Sequence, residues 1–182
     1  LHLLSRRQRQ MCIRDRYSRG HRKIAYIHGA MSAVTSGRLS SFYRTAERLG
    51  LEIPDEYIRE AAYRDTTTTY RVTNELLDLP NPPTCIIYPD DFASFGGINA
   101  IRQRGLQIPE DISVAGYDGI QAARQLEPRL TTVQQDTEQI GCLAARELIS
   151  LIERPKTTII EQVIVPGKVA EGKSVARIPT DN

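Results

Sequence analysis

The pattern of hydrophobic and polar positions predicts strands alternating with helices from about residue 20 onward. Short, almost wholly apolar runs predict buried strands in KIAYIHG, TCIIYPDD, DISVAGYD and LTTVQQD. LEIPDEYIREAAY predicts a connection and then a strand, and TIIEQVIVP predicts a closing strand. Apolar residues at helical spacing predict helices in TSGRLSSFYRTAERLG, RDTTTTYRVTNELLDLP, DDFASFGGINAIRQRG and TEQIGCLAARELISLIER. This alternation is typical of an α/β fold with a mostly parallel sheet and helices on both faces.

The same spacing predicts which side of each helix faces the core. In the first helix the expected inward residues are Leu39, Phe42, Tyr43, Ala46 and Leu49, and in the third they are Phe92, Phe95, Ile98 and Ile101. Capping side chains are expected at Thr35 or Ser36 for the first helix and at Asp65 or Thr66 for the second.

Charged side chains follow the predicted strands at the edge where ligands bind in such sheets. Asp118 ends DISVAGYD, Asp90 and Asp91 end TCIIYPDD, and Arg38 lies near the start of the first helix. Carboxylates accept hydrogen bonds from neighbouring hydroxyls and arginine donates several, which suits a small polyhydroxylated ligand such as a sugar. The alternative is structural: Asp90 and Asp91 would cap the helix that starts at Phe92, Asp118 would cap a turn, and Arg38 would be solvated.

Charge is unevenly placed along the 182 residues, although the formal net charge is only +2. Residues 1–19 hold six arginines and one aspartate, whereas the rest holds 18 basic and 21 acidic residues and therefore offers no basic face for nucleic acid. The stretch RQMCIRDR resembles translated sequencing-adapter read-through, so residues 1–19 are interpreted as a non-family leader, with a nucleic-acid-binding arm as the alternative. Residues 20–178 are interpreted as a ligand-binding domain and residues 179–182 as a tail.

Several function classes find no support in the sequence. The three cysteines, Cys12, Cys85 and Cys142, show no metal-ligand spacing, and two of them sit in apolar runs where we expect buried thiols of a cytoplasmic protein. No apolar run is long enough to cross a bilayer. We expect no metal, no cofactor and no catalytic residues, because there is no phosphate loop, dinucleotide fingerprint or nucleophile–histidine set.

Several motifs in order give the chain from Gly20 to about Val175 a specific resemblance. GHRKIAYIHG resembles G-H-x-x-I-A-x-I-x-G, and SGRLSSFYRTAERLGL resembles an R-x-x-G-F helix. Three further motifs follow in the same order. The N-D-x-x-A-x-G…G-x-x-I-P-x-D-I-S-V-x-G-[FY]-D block is resembled by PDDFASFGGINAIRQRGLQIPEDISVAGYDGI, L-T-T-[VI]-x-Q-D by RLTTVQQD, and G-x-S-[VT] by EGKSVAR. Together they are similar to the effector-binding core of the LacI/GalR family of bacterial transcriptional repressors.

The resemblance implies a two-lobed fold of the periplasmic-binding-protein type I class, with an effector in the cleft between lobes. It places Arg38, Asp118 and Asp90 at the family's effector-binding arginine, aspartate and asparagine. Tyr63 lies near a pocket aromatic position, and Thr137 aligns with a position that is often aromatic. It also implies a homodimer in which effector binding changes operator affinity.

Departures from the family pattern leave the effector open. Ser41 replaces the glycine of R-x-x-G-F, and Thr137 removes a stacking face. Asp90 replaces asparagine and stands beside Asp91, which predicts a preference for neutral, cationic or donor-rich ligands over phosphorylated ones.

Nothing before Gly20 resembles a helix-turn-helix, so operator DNA would be bound only through an N-terminal domain missing from this chain. The resemblance assigns Lys23 to about Leu79 to part of a first lobe, whose apolar strand and helix would then lack partners, and the rest to a complete second lobe. The alternative functions are a solute-binding receptor of a sugar transporter and, with least support, an enzyme.

Overall fold

The computed structural model describes residues 13–155 and 163–178, which contain one mixed sheet and four long helices. The strands are β1 (Ile24–His28), β2 (Ile58–Glu60), β3 (Cys85–Ile87), β4 (Ser113–Asp118), β5 (Thr131–Gln134) and β6 (Lys168–Ala170). The helices are α1 (Ala33–Arg48), α2 (Thr66–Leu77), α3 (Asp91–Gln103) and α4 (Thr137–Glu153), with 3₁₀ turns at Asp55–Tyr57 and Gln121–Gln125. The strand order is β2-β1-β3-β4-β5-β6; the first five strands are parallel, and β6 is antiparallel to β5. The predicted α/β class with a mostly parallel sheet is confirmed.

Successive strand residues point to opposite sides of the sheet, and a cluster of buried residues covers each side. On one side Ala25 and Ile27 of β1 join Ile86 of β3 and the inner residues of α2 and α3. On the other side Ile24, Tyr26, Cys85 and Ile87 pack against Phe42 and Ala46 of α1 and against Ile13. The short apolar runs are therefore explained by burial on two faces.

Each helix begins at a side chain that accepts a hydrogen bond from its first turn. Asp65 caps α2 and is one of the two residues predicted for that position. Asp90 caps α3, as the structural alternative for that residue predicted. Ser32, and not Thr35 or Ser36, caps α1, so that helix begins earlier than predicted. Asp136 caps α4.

The closing EGKSVAR segment joins the starts of β4 and β5. The Ser174 hydroxyl donates to the Val114 carbonyl oxygen and accepts from the Thr131 N–H, both at 2.8 Å. A β-carbon at Gly172 would lie 2.1 Å from the Arg129 carbonyl oxygen, so this turn requires glycine.

Three predictions of local structure are wrong. The helical spacing predicts that Tyr43 and Phe92 face the core, but they are 42% and 40% exposed, because each lies at the border of the helix face that meets the sheet. The closing strand is β6, beyond the predicted TIIEQVIVP; residues 163–166 of that stretch are not strand, and residues 158–162 lie outside the described residues. Its alternating apolar pattern therefore did not mark the residues that pair with β5.

The expected lack of partners for the first strand and helix is also wrong. All five residues of β1 are buried, and β1 lies between β2 and β3 in the same sheet as β4. Within the described residues, α4 is the long helix that has no buried residue, and Ile140, Leu148 and Ile152 are exposed. Cys85 is buried as expected, but Cys142 is exposed because it lies on α4; Cys12 lies outside the described residues.

Part of the arginine-rich N-terminal segment packs onto the domain. Residues 13–18 are helical, and Ile13 and Arg16 are 1% and 0% exposed. Ile13 belongs to the core cluster around Tyr26 and Phe42. Residues 1–12 and the tail at 179–182 lie outside the described residues. Within the described ranges, no helix combines the length and hydropathy needed to span a membrane.

Candidate functional site

Four of the five candidate residues meet at the carboxyl ends of the parallel strands. Arg38 comes from α1, Tyr63 from the segment between β2 and α2, Asp90 from the end of the segment after β3, and Asp118 from the last residue of β4. β1, β3 and β4 are neighbours in the sheet, so their carboxyl ends open onto one rim.

Arg38 is held between two tyrosine rings with donors to spare. Its Nη1 donates to the Tyr63 hydroxyl and to the Pro89 carbonyl oxygen, both at 3.2 Å. The guanidinium carbon lies 4.4 Å from the centre of the Tyr117 ring and 5.3 Å from that of Tyr63. Its buried Nε has no hydrogen-bond partner among the residues that the structure describes. The side chain is thus fixed in place while retaining hydrogen-bonding capacity.

Tyr63 forms one wall of the rim. Its hydroxyl lies 3.0 Å from the Thr35 hydroxyl oxygen, in addition to accepting from Arg38. A β-carbon at Gly29 would lie 2.2 Å from Tyr63 Cε2, so glycine at the end of the first strand makes room for the ring. At 36% exposure the ring also has surface to offer a ligand.

Asp118 has an unusual backbone at the centre of the rim. Its φ of 110° is rare for a residue with a side chain. Gln135 contacts it twice: the side-chain Nε2 donates to Oδ1 at 2.6 Å, and the backbone N–H donates to the Asp118 carbonyl oxygen at 3.1 Å. Burial raises the pKa of the Asp118 carboxyl, and the Gln135 hydrogen bond and the charge of Arg38 oppose that rise.

Asp90 shapes the rim through its capping role. Its Oδ1 accepts from the Ala93 N–H at 2.7 Å and its Oδ2 accepts from the Arg64 N–H at 2.8 Å. The second bond holds Arg64 at a φ of 62°, just after Tyr63. The capping interpretation is therefore confirmed; an ionised carboxylate has further lone pairs with which to accept from a ligand.

Asp91 supports the rim from beneath, a role that sequence reasoning missed. It is 0% exposed, and its Oδ2 accepts from the backbone N–H groups of Gly119 and Ile120 at 2.7 and 2.9 Å. Its Oδ1 accepts from the Thr132 hydroxyl at 2.6 Å. Burial raises the Asp91 pKa to about 6, although these hydrogen bonds favour the ionised form.

Glycine in β4 makes this arrangement possible. A β-carbon at Gly116 would lie 2.1 Å from Asp91 Oδ1, so the carboxylate occupies the space that a side chain would take. The available sequence signal is the adjacent pair Asp90 and Asp91 followed by GYDG. That pattern predicts two carboxylates on one rim, whereas only the fold shows which way each points.

Thr137 lies apart from the other four candidates. It is the first residue of α4 and lines a cleft of about 260 Å³ with Gln134, Gln135, Asp136, Glu138, Pro166 and Lys168. Gln135 links this cleft to Asp118. Tyr117 and Gln135 are further rim residues that the sequence did not single out; their available signals were GYDG for Tyr117 and the QQD of LTTVQQD for Gln135.

No group of three or more histidine, cysteine, aspartate or glutamate side chains in residues 13–155 and 163–178 could hold a metal ion. The chemistry that the rim offers is hydrogen bonding, from the guanidinium of Arg38, the tyrosines Tyr63 and Tyr117, the carboxylates of Asp90 and Asp118, and the amide of Gln135. Such a set recognises a small polar molecule.

Comparison with known proteins bears on this arrangement. Residues 14–175 match the family described as "Periplasmic binding protein-like domain". The chain belongs to that family. The match begins at residue 14, close to where the helical residues 13–18 begin to pack.

Relatives of this chain include helix-turn-helix-type repressors. It is 35% identical over 162 residues to the probable repressor ExuR of Bacillus subtilis. The matched region covers 88% of this chain and 48% of ExuR. It is 35% identical over 164 residues to the repressor PurR of Serratia proteamaculans, which covers 88% of this chain and 47% of PurR. The chain thus spans about half the length of these relatives, and the resemblance to LacI-type repressors is confirmed.

Solved structures agree on the fold. A putative LacI regulator from Bacillus cereus subsp. cytotoxis superposes with a TM-score of 0.91 at 25% identity, covering 97% of this chain and 62% of that one. A LacI family regulator from Enterococcus faecium, solved with bound ribose, superposes with a TM-score of 0.84 at 24% identity, covering 97% of this chain and 65% of that one.

Proposed function

We propose that this chain is the effector-sensing part of a helix-turn-helix transcriptional repressor. The observation that carries the proposal is the rim itself: Arg38, held over Tyr117 with unused donors, stands with Asp118 at the carboxyl edge of the sheet. The similarity to ExuR and PurR supports a regulator over a transport receptor. The proposed effector is a small polar molecule, with a sugar as the leading class.

The proposed binding residues are Arg38, Asp118, Asp90 and Tyr63, with Thr137 at the border of the site. Arg38 would donate to ligand oxygens, and Asp118 would accept from ligand hydroxyls. Tyr63 would cover an apolar ring face. Asp90 would contribute its remaining acceptor capacity, and Thr137 would contact the ligand from the α4 side.

The proposed mechanism is allosteric. Effector bound at this rim would stabilise one arrangement of a homodimeric repressor over another and so change its affinity for operator DNA, which a separate helix-turn-helix domain would bind. A cytoplasmic location follows from this role. The coupling requires only that the effector bind the two arrangements with different affinity.

Thermal stabilisation by sugars tests the proposal. We expect at least one of D-glucose, D-glucosamine, D-ribose and D-glucuronate to raise the melting temperature of the 182-residue chain, because a ligand that binds only the folded state stabilises it. Glucose 6-phosphate is expected to have less effect than glucose, because Asp90 and Asp118 lie on the rim.

Substitutions at the rim identify the site. Arg38→Ala and Asp118→Ala should each abolish the stabilisation, whereas Arg48→Ala, on the exposed end of the same helix α1, should preserve it. Equal stabilisation of all three variants by the same sugar would show that it binds elsewhere.

A further inference from the structure

Asp91 accepts three hydrogen bonds from residues that surround Asp118. Among the described residues, no hydrogen bond joins Asp91 to Asp118 itself. Asp91 belongs to the first turn of α3, and its partners lie after β4 and in β5. The two N–H groups that it binds belong to Gly119 and Ile120, the residues that directly follow Asp118. One buried carboxylate therefore connects three elements at the point where the rim is built.

The backbone around Asp118 is one that needs such support. Asp118 and Gly119 have φ values of 110° and 75° in succession, and only glycine adopts the second without cost. Strained residues at a binding site persist only where their surroundings hold them. Gln135 holds Asp118 on one side, through the Asp118 carbonyl oxygen and carboxylate, and Asp91 holds the following two peptides on the other.

The close packing of the chain leaves this backbone few alternatives. A β-carbon at Gly119 would lie 2.7 Å from the Gln134 α-carbon, and one at Gly116 would collide with the Asp91 carboxylate. The turn is pressed against β5 while Asp91 occupies the space under β4. If the hydrogen bonds from Gly119 and Ile120 to Asp91 were lost, these peptides would shift, and the shift would reorient the Asp118 side chain because the surrounding atoms are closely packed.

We propose that Asp91 is a positioning residue, which sets the direction of the Asp118 carboxylate by holding the peptides of Gly119 and Ile120. The inference rests on the proposed function only in that Asp118 is taken to bind the effector. Asp91 itself is fully buried.

Protonation would weaken this support. The titratable groups near the Asp91 carboxylate are Asp118, from β4, whose negative charge raises the Asp91 pKa, and its chain neighbour Asp90; β5 presents the neutral Thr132 hydroxyl. Protonated Asp91 accepts more weakly from the two N–H groups than the ionised form does. The amide protons of Gly119 and Ile120 should therefore report the ionisation of Asp91.

A pH titration followed by ¹⁵N–¹H NMR on the 182-residue chain tests the contact without any ligand. The Gly119 and Ile120 amide signals should shift together with a common midpoint near the Asp91 pKa of about 6. Asp91→Asn should remove the step near pH 6 that the two signals share, although Asp118, which directly precedes Gly119, still titrates. Asp111→Asn is the matched control, because Asp111 accepts from the Gln107 N–H at 2.7 Å outside the rim; it should leave both signals titrating. Signals that stay constant through this range in the unsubstituted chain would overturn the proposal.

Two variants separate positioning from general stability. Asparagine can still accept from Gly119 and Ile120, although more weakly than a carboxylate, and can donate to the Thr132 hydroxyl. Asp91→Asn should therefore change the Gln135 side-chain amide signals and the affinity for the stabilising sugar much less than Asp91→Ala does. Asp91→Ala should shift the Gln135 side-chain signals and lower the affinity for the stabilising sugar on the order of 10-fold or more. Both effects would act at a distance, because residue 91 contacts neither Gln135 nor the proposed sugar.

The outcomes distinguish this proposal from the proposed function. If Asp91→Ala keeps the Gln135 signals and the sugar affinity unchanged, the positioning role is wrong. If no sugar stabilises the unsubstituted chain, the proposed function fails while the amide titration and the Gln135 signals still decide the positioning role. If Asp91→Ala does not fold, constant Gly119 and Ile120 signals in the unsubstituted chain would still overturn the positioning role, and a shared midpoint near pH 6 would support it.

Discussion

Asp91 and His21 are both buried and titratable, yet burial shifts their pKa values in opposite directions. The His21 ring lies 3.0 Å from the Thr84 hydroxyl oxygen and 3.2 Å from the Ala176 carbonyl oxygen, and burial lowers its pKa to about 4. Burial raises the Asp91 pKa to about 6. Each group disfavours its charged form in the folded state, but one charge is positive and the other negative.

These two pKa values predict opposing pH dependences of stability. Between about pH 4 and 6 the native chain holds more protons at Asp91 than the unfolded chain, so this group lowers the unfolding free energy as pH rises. His21 holds fewer in the native chain between about pH 4 and 6.5, so it raises the unfolding free energy as pH rises. Each contribution is on the order of 3 kcal/mol, because a tenfold change in a proton-binding constant corresponds to about 1.4 kcal/mol.

We therefore expect the contributions of Asp91 and His21 to oppose each other between about pH 4 and 6, and each single variant to remove one of them. Asp91→Asn should leave the His21 dependence exposed, so that stability increases with pH across this range; His21→Gln should show the reverse. Denaturant unfolding at several pH values measures both. Two variants with the same slope would contradict the assignment of either pKa.

At the level of single residues, sequence reasoning found charged groups but not their directions. Arg38 and Asp118 were found because a parallel sheet places them at one edge. Asp90 and Asp91 are adjacent, and whether either faces ligand or core depends on the turn into α3 and on the room that Gly116 leaves. Such long-range contacts have no periodic signature along the chain.

At the level of elements, strands and helices could be predicted wherever burial imposes a period. β1, β3, β4 and α2 follow their apolar patterns closely, because each is enclosed by other parts of the sheet or its helices. β6 could not be located from its own residues, because it is a three-residue edge strand defined by its pairing with β5. The α4 pattern predicted a helix correctly, but it did not predict that none of the helix's residues is buried by the part of the chain that the structure describes.

Hydrogen exchange should separate α4 from the other helices. A 17-residue helix without buried residues gains little from tertiary packing, and local propensity by itself is marginal in water. We expect α4 amides to exchange far faster than those of α3, eight of whose residues are buried. Mass spectrometry of peptides from the two helices measures the difference. Equal protection would mean that something covers α4 in solution.

At the level of the whole molecule, the exposed face of α4 is the main departure from a closed globular surface. Ile140, Leu148 and Ile152 are 41%, 59% and 70% exposed on one side of the helix, which we call the α4 stripe. The ExuR and PurR relatives are about twice as long as the region matched, so they contain residues with which an equivalent face could pack. A chain that presents this stripe to water is expected to associate with itself.

Charge placed in the α4 stripe tests that expectation. Leu148→Glu should reduce the average mass measured by sedimentation at a given concentration and change the melting temperature little, because Leu148 is 59% exposed and has little packing to lose. Gln139→Glu adds the same charge nine residues away, half a turn round the helix, and should sediment as the unsubstituted chain does. If both variants associate as strongly as the unsubstituted chain, another surface holds the copies together; if Leu148→Glu alone unfolds, the stripe is already packed in solution.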